Sequence, residues 1–151
     1  MNTSAQVMEE TIKYFDGDLK RINHLIKVYG FAKTIGELEG LDEKTREILE
    51  IAAIIHDIGI KISEKRHNSS SGYYQQLEGL VIEDTIIDRV CWLIAHHHTY
   101  QNIDKPDYQI LVEADFLVNA YEDNMDKNAI ESIKTKVFRT ESGRRLLDMM
   151  Y

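Results

Sequence analysis

The sequence predicts one all-α domain, a compact bundle of roughly seven or eight helices. Three observations lead there. A chain of 151 residues is one domain's worth, and a chain of this size buries about 68–70% of the surface its unfolded form exposes. One Pro and eight Gly leave few places for the tight turns that a sandwich or barrel needs. Apolar residues recur at helical spacing, and nothing alternates as a strand should. At 43% hydrophobic and 29% charged residues, the composition is that of a globular protein and not of a disordered one.

Polar or Gly-containing breaks near residues 16–18, 36–42, 59–71, 79–83, 99–107 and 122–127 divide the chain. From Asp18 to Glu39, Ile22, Leu25, Ile26, Tyr29 and Ala32 form one apolar stripe, and His24, Val28, Phe31 and Ile35 form a second. Two stripes mark a central helix. Gly40 is placed to end it, and Asp42 to cap the next, from Glu43 to about Asp57. That helix becomes apolar on all sides at Ile51-Ala52-Ala53-Ile54-Ile55, the mark of a buried end. A helix is expected over about 70–77, and another over about 83–97 with its stripe at Ile87, Val90 and Ile94. Asp107 is read as the cap of a helix through Tyr108 to Glu122, and two shorter helices should cover about 126–138 and 141–149.

Lys plus Arg total 18 against 26 Asp plus Glu, a net charge of −8. This argues against binding of duplex nucleic acid, where basic side chains neutralise phosphates. A metal-bearing acidic protein can still bind a small phosphate. No apolar run approaches the roughly 18 residues that span a membrane, so no membrane partner is expected. The single Cys91 cannot form an internal disulfide, and no signal-like N-terminus is present, so a reducing cytoplasm is the expected compartment. Oligomeric state is left open.

The chemistry concentrates at a few residues. His56-Asp57 closes a helix that is otherwise Ile and Ala, and Asp115 sits on the inward stripe of Leu111, Val112 and Val118. A buried carboxylate without a partner costs several kcal/mol, and no cationic residue lies on these stripes. Two such carboxylates on separate helices call for one cation between them. His24, on the inward stripe of the central helix, and His56 supply the imidazoles that complete an N/O site for zinc or a first-row transition metal. Each residue alone has a blander reading, as a hydrogen-bonded core histidine, a helix cap or a salt-bridge partner. The ordered set on three helices carries the weight.

This set resembles the signature of the HD-domain superfamily of metal-dependent phosphohydrolases, a His, then a His-Asp pair, then a distant Asp. Here it reads Arg21-Ile-Asn-His24, Ala53-Ile-Ile-His56-Asp57-Ile-Gly59 and Val112-Glu-Ala-Asp115-Phe-Leu-Val, over roughly residues 18 to 121. The nearest likeness is to small, stand-alone bacterial members. The resemblance implies an all-helical fold in which His24, His56, Asp57 and Asp115 hold a divalent metal, with Fe, Mn, Zn, Ni, Co and Mg not distinguished. Further histidines follow: His97 lies at i+7 from Val90 and i+3 from Ile94, and His98 at i+4 from Ile94, while His96 turns aside. In the binuclear branch, histidines at such positions hold a second metal bridged by the Asp of the pair, which makes His67, His97 and His98 its candidate ligands. A His run at a helix C-terminus also suits the helix dipole without any metal.

The resemblance implies a metal-activated water that hydrolyses a phosphomonoester or phosphoanhydride of a small nucleotide or related ester. Asp57 is ligand and candidate catalytic group, and Lys61 and Arg21 are the cations nearest the ligands, placed to take phosphate oxygens; solvated surface charges are the alternative. Tyr73, Tyr74, Tyr100 and Tyr108 are candidates for stacking on a base, and the loop 99–106 for a pocket wall. Thr99-Tyr follows His98 where the cyclic-dinucleotide branch has Gly-Tyr-Pro, and Ile58-Gly-Ile-Lys61 lacks the acidic residues of the alarmone hydrolases. Neither activity is supported. A non-catalytic module that binds a ligand or partner through the pocket is the alternative function, and a closed structural metal site is the third.

Overall fold

Side-chain caps set where four of the helices start, and a left-handed glycine follows the end of one of them. The computed structural model describes residues 3–58 and 82–151, which form seven helices and no strand. These are α1 (Thr3–Phe15), α2 (Leu19–Leu38), α3 (Glu43–Ile55), α4 (Asp84–His96), α5 (Pro106–Glu122), α6 (Lys127–Lys136) and α7 (Glu141–Met150). The all-α expectation holds. Asp18, Asp42, Asp126 and Thr140 each accept a hydrogen bond from the backbone N–H three residues on, at 3.3, 2.8, 2.8 and 2.9 Å. Each bond satisfies a donor that the first helical turn would leave unpaired. Gly40 takes φ +73° just past α2, a conformation that suits a residue without Cβ.

The core lies where α2, α3 and α5 pack on one another, with α1 and α4 against α3 and α7 against α5. Leu25, Val28, Ala32 and Ile35 meet Leu49, Ala52, Ala53 and Ile54 there, with Ile110, Leu111, Ala114 and Leu117. The residues of α3 from Ile48 to Ile55 are all buried, as its all-round apolar run predicts. Helix α5 is nearly as enclosed, including Asp107, Glu113 and Asp115. Among the described residues no helix is long and apolar enough to cross a membrane.

Three expectations are refined. The two stripes of α2 are one broad arc, and Ile26, about 40° beyond Ile22 at about 100° per residue, falls outside it at 43% exposure. Asp107 does not cap α5. Pro106 opens the helix, which suits its fixed φ and missing N–H. Asp107, drawn inward, instead accepts from Arg89 Nε at 3.0 Å and Nη2 at 2.8 Å. Helix α3 ends at Ile55, so His56 and Asp57 lie in the turn just beyond it. Helix α1, to which the sequence reading assigned no stripe, buries Val7, Thr11 and Phe15 at helical spacing. The helix expected over 70–77 lies outside the described residues.

Candidate metal centre

Each chemically important side chain is delivered by a packed helix or by the turn that ends one. His24 comes from the buried arc of α2 and Asp115 from the middle of α5. His56 and Asp57 follow the last turn of α3, and His97 and His98 follow α4. The four signature residues converge. His24 Nε2 lies 3.1 Å from His56 Nε2, 3.4 Å from Asp57 Oδ2 and 3.2 Å from Asp115 Oδ1. His56 Nε2 lies 3.4 Å from Asp57 Oδ1 and 3.5 Å from Asp115 Oδ1.

The other ring nitrogens decide what this cluster lacks. His56 Nδ1 donates to the Ala53 carbonyl at 2.7 Å, and His24 Nδ1 donates to Glu122 Oε1 at 2.6 Å. A neutral imidazole that donates from Nδ1 keeps only a lone pair at Nε2. While the two rings are neutral, both Nε2 atoms face each other and two carboxylates as acceptors, and only protons or a cation can relieve this. This explains why Asp115 Oδ1 is buried with no hydrogen-bond partner although two imidazoles lie close by. Positive charge is what such a pocket needs.

The acidities report the same need. Burial disfavours charge on His24 and His56. For His24 the neighbouring Asp115, Glu122 and Asp57 outweigh it, and its pKa lies above the usual imidazole value. For His56 the nearby Asp115 and Asp57 push the pKa up to about 9. Burial would raise Asp115, but His24 and His56 hold its carboxyl far below the usual range. A divalent ion at this point would replace those protons, and two imidazoles with two carboxylates suit zinc or a first-row transition metal. The residues present fit such an ion.

Above the cluster opens a cleft of about 440 Å³ lined by Asp18, Lys20, Arg21, His24, Asp57, His98, Asp115, Asn119, Glu122 and Asp123. Arg21 stands on this rim, its Nη1 3.5 Å from Asp18 Oδ2. His97 and His98 offer ligand atoms that lie with one of Asp115 within 4.8 Å of one another, a second group beside the first. The carboxylate that stands with these two histidines among the described residues is Asp115. His97 is buried, its Nδ1 donates to the Ile94 carbonyl at 2.7 Å, and its Nε2 has no partner. Burial, and then the charge of His56, push its pKa down to about 4. His96 points elsewhere, stacked on Trp92 at 4.1 Å with Nδ1 donating to the Trp92 carbonyl.

Lys61, His67, Tyr73 and Tyr74 lie outside the described residues. Tyr100 packs its ring on Phe116. Tyr108 is buried, and its hydroxyl donates to the carbonyls of His96 and Thr99, so it fastens the His97–His98 turn and has no face for a base. Sequence reasoning missed Glu122 and Asn119. They stand seven and four residues after Asp115, the spacing that puts all three on one helical face, and that spacing was the available signal.

Among known proteins, the family model described as HD domain matches residues 21–132. Nothing among the curated proteins matches the chain. Among solved structures, the crystal structure of Bacillus subtilis YpgQ is similar, with 23% sequence identity over 97% of this chain and 87% of that one and a TM-score of 0.67. That likeness speaks for the fold alone. With the family match spanning well over half the sequence and the His, His-Asp and Asp positions inside it, the chain belongs to the HD-domain family.

Proposed function

We propose that the protein is a metal-dependent phosphohydrolase that cleaves a phosphomonoester or phosphoanhydride bond of a small nucleotide or related phosphate ester. The observation that carries this reading is the convergence of His24, His56, Asp57 and Asp115 at the floor of an open cleft whose rim bears Arg21 and Lys20. An ion held there would supply Lewis acidity, making water acidic enough to give hydroxide near neutral pH and polarising a phosphoryl oxygen. His24 and His56 offer lone pairs already oriented by their Nδ1 hydrogen bonds, so little reorganisation accompanies binding. Asp57 is the less buried of the two carboxylates. It lines the cleft, where it could also accept a proton from an approaching water. Arg21 takes the phosphate oxygens that are not attacked, with Lys61, four residues after Asp57, in the same role. His97 and His98, with Asp115, would hold a second ion, to which the resemblance adds His67.

The test is metal analysis of untagged protein, followed by turnover on a panel of nucleotides and sugar phosphates with the metal varied. Asp57→Ala and Asp115→Ala should each remove metal and turnover. Metal content unchanged in both variants would overturn the site. Metal without turnover on any phosphate would favour a pocket that only binds.

A further inference from the structure

We infer that Glu122 is a positioning residue that sets the metal affinity of the centre by fixing the tautomer and orientation of His24. The inference rests on the metal reading above. Three histidines here have their Nδ1 atoms committed, and two of them, His56 and His97, donate to main-chain carbonyls of Ala53 and Ile94 in their own local turn. No substitution removes those acceptors. His24 differs, because its acceptor is a side chain, Glu122 Oε1 at 2.6 Å, 98 residues away in sequence. Asp115 and Glu122 lie seven residues apart, on the same face of α5. One rigid helix thus presents a ligand carboxylate to His24 Nε2 and an orienting carboxylate to His24 Nδ1.

An ionised carboxylate only accepts, so the proton stays on Nδ1 and the lone pair on Nε2 stays aimed at the pocket. Without that acceptor the ring is free to carry its proton on Nε2 or to rotate, and either change removes one ligand. Lys27 Nζ holds the other oxygen, Glu122 Oε2, at 3.0 Å, and so limits where the carboxylate can swing. Partners of this kind are worth about 10–100-fold in metal affinity.

The experiment is competition titration of Mn²⁺ and Zn²⁺ against a chelating dye, using the metal-free full chain. Glu122→Ala should bind about 10–100-fold more weakly. Glu122→Gln, whose side-chain carbonyl still accepts from Nδ1, should stay within about threefold of wild type. Lys27→Met should lose about two- to fivefold, and it serves as a second test if Glu122→Ala does not fold. Any turnover lost by Glu122→Ala at low metal should return at saturating metal. An unchanged affinity in both Glu122→Ala and Lys27→Met overturns the inference, as do equal losses in the Ala and Gln variants. Asp115→Asn separates the two claims. If the wild type binds and Asp115→Asn does not, the metal reading stands whatever Glu122 does. A wild-type chain that binds neither ion overturns both.

Discussion

Gly143→Ala should cost about 3 kcal/mol of stability, because the added methyl would occupy space that a buried carboxylate already fills. An ideal Cβ at Gly143 falls 1.9 Å from Glu113 Oε1 and 2.7 Å from Thr140 Oγ1. Glu113 is fully buried, and its two oxygens accept from Gln109 Nε2 and Thr140 Oγ1, both at 2.6 Å, and from the N–H groups of Arg139 and Thr140, both at 3.0 Å. Hydrogen bonds to a charged group contribute about 1.5–3 kcal/mol each. Shifting the carboxylate enough to admit a methyl breaks one or two of them, hence about 3 kcal/mol. For a chain of this length that corresponds to a fall in Tm of about 6–12 °C. Urea denaturation followed by far-UV circular dichroism measures it. Glu113 and Asp115 are two residues apart and so face opposite sides of α5, so the same variant should leave metal affinity close to that of wild type. A stability within 0.5 kcal/mol of wild type, roughly the ordinary scatter of surface substitutions, would refute the account of Glu113 as the anchor between α5 and the start of α7.

Two further predictions concern charge. In the metal-free protein His97 is held down at about 4 and His56 up at about 9, against 6.5 for an ordinary imidazole. The stability linked to His97 is fully present above pH 6.5 and lost as the pH falls through 4; that linked to His56 is fully present below pH 6.5 and lost as it rises through 9. Stability should therefore peak near pH 6.5 and fall by about 3 kcal/mol toward each end, and a flat urea-denaturation profile between pH 4.5 and 9 would sink this. Arg89→Met should cost about 3–5 kcal/mol, since it leaves Asp107 buried without its cation. Replacing Asp107 by Leu in the same chain should recover most of the loss, and calorimetry on the single and double variants checks both.

Much of the fold was legible because local signals and burial agree. Asp42 caps where the pattern asks for a cap, and the all-round apolar run of α3 is buried as its composition requires. His24, His56 and Asp115 betrayed themselves as polar residues on apolar faces. What stayed hidden depends on partners remote in sequence. Asp107 looks like a cap until Arg89 is seen to hold it from another helix, 18 residues earlier. Glu122 reads as the polar end of a helix, since nothing local ties it to His24. That Asp115 stands with His97 and His98 follows from how α4 and α5 meet, which periodicity along one helix does not encode.

Helix α5 supplies Asp115 and the carboxylate that orients His24, anchors α7 through Glu113, and buries eleven of its residues. Evolution has little freedom on such an element, because almost any substitution there is charged against folding before it is judged for catalysis. Room for change lies instead at the edge of the cleft, at Lys20 and Arg21 at the start of α2 and at His98.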